Sequence, residues 1–297
     1  MIMKKILFFT AALAFAAFAS CQKEQPLQEQ TSAPAEDRLP IELSLNLVSK
    51  ATDASYENGD KIGVYVSYQT SLAPSGNYVN NKAFTLEDGS WEAEEKIYWA
   101  DKTNTADFYC YYPYGTPVNA TAYNFAVRSD QSTKAAYAAS DFLWGRSLAV
   151  APGPGTVAIT TAHIMSNILV YLAPGEGFTA EEFAAAQKVV KLGNVKNNAV
   201  INLASGGVSA TGDTAVITPY WTGECYRAVV VPQSVAADAN LIILTINNVS
   251  YTLAREFRFE PRTQHKLTVT VNKTSSGLNL SIESWIIDDN EYTGDAH

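Results

Sequence analysis

Strict alternation of apolar and polar residues is the feature that most constrains the fold of this chain. Between residues 41 and 47, every second position is apolar, which is the period of a half-buried β-strand. The same alternation returns in residues 62–68, after the turn residues Asn58, Gly59 and Asp60. The pattern predicts an all-β protein. Further apolar runs lie at residues 108–112, 157–172, 228–231, 241–246, 249–253 and 266–271.

Local signals add detail to this pattern. Asn247 and Asn248 separate two apolar runs and predict a tight hairpin turn, because asparagine tolerates positive φ. Thr179 and Glu182 have the spacing of a capping box and predict one short helix. The last apolar run changes phase near Glu283, which predicts a β-bulge.

The order of these signals predicts the domain organisation. Many short strands with few helices indicate β-sandwiches. Residues 151–155 read APGPG, and a stretch so rich in proline and glycine disfavours both helix and sheet. We therefore predict β-sandwich domains at residues 39–152 and 153–297. A signal peptide at residues 1–20 and a flexible tether at residues 21–38 precede them.

The N-terminus has the features of an export signal. Lys4 and Lys5 precede an uncharged apolar stretch at residues 6–18, which is shorter than the roughly 20 residues that span a bilayer. Phe18-Ala19-Ser20 then leads into Cys21, as in a bacterial lipobox, although phenylalanine replaces the usual aliphatic residue. We expect acylation of the Cys21 thiol, so that outer-membrane lipid holds the protein. An ordinary secretory signal that ends near a cysteine is the alternative.

The charge of the processed chain limits its partners. Removing Lys4 and Lys5 from the 21 basic residues leaves 19 against 30 acidic residues, a net charge of −11. Nucleic acids and anionic membrane surfaces bind basic patches, so neither is an expected partner. The tether after Cys21 is polar and has almost nothing to bury, so we expect it to stay flexible.

The sequence predicts no enzyme, no cofactor and no metal. None of His163, His265 and His297 has a second ligand at metal-site spacing, and no nucleophile elbow or phosphate loop occurs. We expect a buried or half-buried His163 with its hydrogen bonds satisfied. Cys110 and Cys225 are expected to be buried and free, with a disulfide between them as the alternative.

Several strings resemble the fimbrillin-like (Mfa-like) proteins of Bacteroidetes. Residues 56–65 read YENGDKIGVY and are similar to the family's F-x-x-G-D-x-I-G-V-Y. Residues 107–114 read DFYCYYPY and are similar to its D-F-x-A-Y-Y-P-Y. Further matches follow in the family's order over nearly the whole body of the chain, at Ser140 to Trp144, His163 to Ser166, Val231 to Gln233 and a final strand ending at Trp285.

The resemblance implies two tandem transthyretin-like β-sandwich domains and a subunit of type V pili. In that assembly, the lipoprotein reaches the outer face of the cell outer membrane, and a trypsin-like or arginine-specific protease cuts after the first strand. Loss of that strand opens an apolar groove. A strand of the next pilus subunit, usually its C-terminal strand, fills the groove.

The implied roles can be placed on this chain. Cleavage between Lys50 and Ala51 would release residues 39–48, whose apolar side chains each contribute roughly 1.5–3 kcal/mol when fully buried. These side chains are Ile41, Leu43, Leu45 and Leu47. The candidate donor side chains of the final strand are Leu278, Leu280, Ile282, Trp285 and Ile286.

Lys50 departs from the arginine that usually precedes the family's cleavage site. The protein is then either an uncleaved anchor or accessory subunit, or the substrate of a broader protease. A permanent first strand is a further alternative. Asp213-Thr214-Ala215 fits a short O-glycosylation pattern of these bacteria.

The competing hypothesis is a non-polymerising surface lipoprotein that binds glycans or anchors the pilus, with a host or bacterial surface ligand. Its binding residues would be exposed aromatics, for which Trp91, Trp99 and Trp221 are the candidates. The tyrosines at positions 109, 111, 112 and 114 are expected instead to pack against a sheet face and to hydrogen-bond at its rim.

Overall fold

The computed structural model describes residues 38–48, 55–274 and 277–287. These residues form many strands and two short helices, which confirms the all-β class. The first part comprises β1 (Glu42–Leu47), β2 (Lys61–Ser67), β3 (Val79–Glu87), β4 (Ser90–Ala93), β5 (Ala106–Tyr112), β6 (Tyr123–Ala126), α1 (Lys134–Ala138), β7 (Leu143–Val150) and β8 (Thr156–His163).

The second part contains the remaining elements. None of the helices in the described ranges is long and apolar enough to cross a bilayer. The elements are β9 (Ser166–Pro174), α2 (Ala180–Ala185), β10 (Lys188–Asn202), β11 (Gly207–Ile217), β12 (Tyr220–Trp221), β13 (Tyr226–Val230), β14 (Gln233–Val235), β15 (Asn240–Ile246), β16 (Val249–Ala254), β17 (Phe257–Phe259), β18 (Gln264–Thr274) and β19 (Gly277–Ile287).

Seven strands of the first part close into a barrel in the order β1-β4-β3-β2-β5-β7-β8. Its interior is filled by one face of each strand, as the alternation predicts. Ile62 and Val64 of β2, Phe108 of β5 and Ile159 of β8 are fully buried there. Every neighbour pair in the barrel is antiparallel except β1 with β8, which is parallel.

The second part is a β-sandwich. One sheet has the order β11-β10-β15-β16, with β6 also paired to β10, and the other has the order β12-β13-β9-β18-β19. Leu192 of β10 and Leu244 of β15 belong to the same apolar cluster as Ile168 of β9 and Val269 of β18. The two sheets therefore bury their inner faces against each other. A two-stranded sheet of β14 and β17 completes this part.

Barrel and sandwich share an apolar core. Tyr65 of β2 and Tyr111 of β5 lie on the outer face of the barrel and belong to the cluster of the sandwich. The ring of Tyr111 stacks on Phe142, with 5.6 Å between centroids and 5° between planes. The tyrosine-rich stretch thus packs a sheet face, as expected for residues with an apolar ring and a polar rim.

The connection at residues 151–155 is a loop between two strands of the barrel. It joins β7 to β8, and β8 pairs with both β7 and β1. Strand β6, from the first part of the chain, pairs with β10 of the sandwich. The change from barrel to sandwich therefore occurs near residue 164 in the chain, after β8, and a division at residue 152 into independent domains stays a prediction.

The local signals are confirmed. Asn247 and Asn248 have φ values of 49° and 68° and form the β15–β16 turn. Thr179 and Glu182 make the capping box of α2. The β18–β19 register skips Glu283, which is the predicted bulge.

The expectation of a single helix is wrong. Helix α1 is five residues long, and the Thr133 side chain accepts a hydrogen bond from the backbone N–H of Ala136. No residue of α1 is buried. The helix therefore leaves no apolar periodicity in the sequence from which to predict it.

We predict that Gly63→Ala destabilises the protein by about 1–3 kcal/mol, the usual cost of overpacking. A Cβ atom at this position would lie 2.2 Å from a ring carbon of Tyr111 and 2.6 Å from Oδ1 of Asn81. Urea unfolding measures the loss. Gly155→Ala is the control, because its added Cβ meets nothing within 4 Å. Equal stability of the two variants would contradict the packing described.

Candidate functional site

Strand β1 closes the barrel with very unequal pairing on its two sides. With β8 it forms a parallel ladder over six residues, from Glu42 opposite Thr156 to Leu47 opposite Thr161. With β4 the only ladder pair is Leu43 opposite Trp91. The strand is thus held along its length by β8 and only at one point by β4.

Residues 97–99 supplement the weak side. The Ile41 N–H donates to the Ile97 carbonyl over 2.9 Å, and the Trp99 N–H donates to the Leu39 carbonyl over 3.0 Å. The strands predicted from the sequence do not include this segment. Its signal in the sequence is the alternation of Ile97, Tyr98 and Trp99. The pairing is too short to register as a strand beyond an isolated bridge between Pro40 and Tyr98.

The four apolar side chains at residues 41, 43, 45 and 47 are not equally buried. Ile41 and Leu43 are each 5% exposed and belong to the barrel core. Leu45 is half-buried against that core, and Leu47 is half-buried at the end of the strand. The predicted removable strand therefore has two deeply buried apolar side chains followed by two half-buried ones.

A cleft of about 370 Å³ lies along the weak side of β1. Residues 40–45 form one wall and the β3–β4 turn with β4 forms the other. Here the space follows from the single ladder pair between β1 and β4.

The other predicted residues of this site lie outside the described part of the chain. They are the acylation residue Cys21 and the cleavage pair Lys50 and Ala51. Processing at these positions stays a prediction. Thr214, the candidate glycosylation residue, is exposed on β11.

Strand β19 forms one edge of its sheet. It pairs antiparallel with β18, and in the order of the sheet it has no second neighbour. Leu280 is buried opposite Val271. In the backbone register, the other candidate donor residues pair in turn, Leu278 with Lys273, Ile282 with Val269, Trp285 with Leu267 and Ile286 with Lys266. The candidate donor strand is therefore a terminal edge strand.

Two of the three tryptophans proposed for glycan binding are core residues. Trp91 is 8% exposed and Trp99 is 4% exposed, and both pack in the barrel. The sequence could not show this, because an amphipathic indole suits either a core or a surface. Trp221 is 48% exposed, so it alone of the three is presented to solvent.

The histidines occupy different environments. His163 is buried and its Nδ1 lies 2.5 Å from Oδ2 of Asp141, which confirms a buried and bonded imidazole. Burial opposes its charged form, but the carboxylate outweighs burial and raises the pKa of His163 above 6.5. His265 is fully buried beside Phe257 and Phe259, and burial lowers its pKa to about 4.

No catalytic or metal arrangement emerges from these residues. Within the described ranges, no group of three or more His, Cys, Asp and Glu side chains is placed to hold a metal ion. Cys110 and Cys225 are both buried and free, as predicted. Burial raises the pKa of the Cys110 thiol well above its ordinary value, which disfavours the reactive thiolate.

Comparison with known proteins finds relatives along nearly the whole chain. Residues 49–285 match the model of the fimbrillin-like family. A candidate fimbrium subunit of Bacteroides uniformis, Fim1C, is 24% identical over 95% of this chain and 96% of its own. Crystal structures of candidate cell adhesion proteins from B. uniformis and B. ovatus each superpose with a TM-score of 0.65, at 20% and 16% identity. They cover 88% and 84% of this chain and 100% and 98% of their own, and they show a shared fold.

We predict that Leu43→Ala costs about 2–5 kcal/mol of unfolding free energy, as for buried leucines in general. Leu47→Ala is the matched control on the same strand and should cost less than half as much, because its side chain is only half-buried. Urea unfolding of a soluble form that starts at residue 22 measures both. Equal losses would contradict the difference in burial between Leu43 and Leu47.

We further predict that the two described imidazoles titrate on opposite sides of pH 6.5. Because the folded pKa of His163 is raised, its contribution to stability is full below pH 6.5 and is lost as the pH rises through the folded value. Because the folded pKa of His265 is lowered, the contribution of this residue to stability is full above pH 6.5 and falls as the pH drops toward 4. NMR titration measures both values.

The matched variant for this titration is Asp141→Asn. It should lower the pKa of His163 and leave that of His265 unchanged, since Asp141 contributes only to the former. A His163 pKa that does not respond to the substitution would refute the assigned cause.

Proposed function

The chain belongs to the fimbrillin-like family, and we propose that it is a subunit of surface fimbriae that joins its neighbours by strand exchange. The named relative is a candidate fimbrium subunit, and it matches this chain end to end. The family is one of fimbrial structure and adhesion rather than of catalysis. The partners are accordingly other fimbrial subunits.

The asymmetric pairing of β1 is the observation that carries the exchange. If residues up to Lys50 leave, β8 keeps an unpaired ladder edge of six residues, and the two deep pockets of Ile41 and Leu43 open. On the other side, one ladder pair to β4 and the two backbone hydrogen bonds to residues 97–99 are lost. An added strand would regain the backbone hydrogen bonds, and its side chains would fill the pockets.

The edge position of β19 supports its role as the incoming strand. Its departure from its own subunit would break only the ladder with β18. Leu280 would be among the apolar residues that enter the groove of the next subunit.

Export precedes this exchange in the proposed sequence of events. Acylation at Cys21 would deliver the precursor to the outer membrane, and cleavage after Lys50 would then release both the lipid and the first strand. Because the residue before the cut is lysine, the protease must accept lysine rather than arginine alone. A precursor that escapes cleavage would stay attached to lipid as an anchor subunit.

We predict that the protein taken from surface fimbriae begins at Ala51, as read by N-terminal sequencing. Lys50→Gln should prevent this cleavage and exclude the protein from fibres, because β1 then keeps its place. Lys61→Gln is the control, since Lys61 is an exposed lysine at the start of β2. An acylated Cys21 in assembled fibres, with normal assembly of the Lys50 variant, would identify a permanent first strand instead.

A further inference from the structure

A second cleft, of about 400 Å³, lies apart from the seam between β1 and β4. Its walls come from Leu47 at the end of β1, the loop before β2, the ends of β5 and β7, helix α1 and strands β12 and β13. We call it the tyrosine cleft, after the rings that line it. Its defining residues are Tyr56, Asp60, Tyr112, Tyr137, Tyr220 and Arg227.

Its polar groups are fixed by the protein itself. Asp60 accepts hydrogen bonds from the hydroxyl of Tyr112 over 3.0 Å and from the N–H of Glu57 over 2.8 Å. Arg227 donates to the Tyr137 hydroxyl over 3.1 Å, and its guanidinium lies 5.0 Å from the centre of that ring. Groups held in this way need little reordering when a ligand binds, which favours affinity.

Hydrogen-bonding capacity is left over in the cleft. The Nε atom of Arg227 is buried and has no partner. Buried donors nearly always have one, and a ligand acceptor that reached this atom from the cleft would satisfy it. Each carboxylate oxygen of Asp60 accepts one bond from the protein and retains a second lone pair.

The composition of the walls restricts the ligand. Glu57, Asp60 and Asp141 place carboxylates around the cleft and disfavour an anionic ligand, whereas Lys134 and Arg227 disfavour a cation. An apolar ligand would leave all of these groups unpaired. The walls thus combine fixed donors and acceptors with aromatic rings. They match a ligand whose own ring carries hydroxyl groups on its edge and C–H groups on its faces.

We propose that the tyrosine cleft binds a neutral saccharide. Its volume lies within the roughly 300–1,000 Å³ that is usual for small-molecule sites. Tyr220 and Tyr137 lie with ring centres 6.1 Å apart and supply the aromatic surface, while Asp60 and Arg227 supply the acceptor and donor. The inference goes beyond the proposed function, because strand exchange requires no saccharide.

Neighbouring residues of β12 provide a matched pair of variants. Successive side chains of a strand point to opposite faces. Tyr220 lines the cleft, whereas Trp221 is exposed and packs against Tyr226 with 4.6 Å between ring centres and 44° between ring planes. A site in the cleft depends on Tyr220, and a site on the exposed aromatic surface depends on Trp221.

The experiment uses the chain from residue 22, which keeps β1 and therefore the Leu47 wall of the cleft, and four neutral disaccharides (lactose, maltose, cellobiose and mannobiose), with binding measured by saturation-transfer NMR and titration. At least one should bind, and Tyr220→Ala should weaken it by about tenfold or more. Trp221→Ala should leave the affinity unchanged. Glu57→Gln, an exposed position that does not affect packing, should weaken binding severalfold and covers the case that Tyr220→Ala fails to fold.

Three results would overturn the inference. They are no binding of any of the four disaccharides, tighter binding of sialyllactose than of lactose, or a loss of binding with Trp221→Ala rather than with Tyr220→Ala. Incorporation of the Tyr220 variant into fibres is scored separately. If the Tyr220 variant enters fibres normally but binds no saccharide, the strand-exchange proposal is unaffected. Each proposal can therefore be refuted without refuting the other.

Discussion

The parallel ladder between β1 and β8 is the constraint on which the barrel depends. It joins the first described strand to one that begins more than a hundred residues later, and without it the barrel has two open edges. The apolar side chains that accompany this ladder, Ile41 and Leu43, contribute together about 3–6 kcal/mol by burial. Since a whole domain is stable by only about 5–15 kcal/mol, the barrel cannot lose this strand without a replacement.

The sandwich limits how far such a change would spread. Tyr65, Tyr111 and Trp144 face away from the barrel interior and pack in the core shared with the sandwich, and the Trp144 indole N–H donates to the Leu203 carbonyl over 2.7 Å. None of these contacts involves β1. Strands β2, β5 and β7 are therefore held from outside the barrel. The proposed groove would open in a wall whose other strands stay supported.

Much of the local structure could be predicted from the sequence, because it follows from short-range chemistry. Alternation located β1, paired asparagines located a hairpin turn, and a phase change located the bulge at Glu283. Which strands pair with each other could not be predicted from the sequence. That β1 pairs with β8, or that β6 crosses to β10, depends on contacts between distant residues, on which period and propensity carry no information.

The candidate sites show the same division. The apolar period of β1 was visible, but the graded burial from Leu43 to Leu47 depends on how β4 ends, which is a property of the assembled barrel. The tyrosine cleft could not be anticipated, because its walls come from segments up to 180 residues apart in the chain, from Leu47 to Arg227. Single tyrosines in those segments look like ordinary sheet residues. Only the folded arrangement brings them beside Asp60 and Arg227.

The bulge in β19 has a consequence for any fibre built through that strand. A regular strand that slides by two residues presents the same faces, so the alternation of its side chains does not by itself exclude such a shift. The extra residue at Glu283 interrupts this equivalence, because a shifted strand would carry the bulge to a place where the partner ladder is unbroken. A strand that kept this bulge in the groove would therefore favour one position. Transferred between identical subunits, it would give the fibre a constant axial repeat.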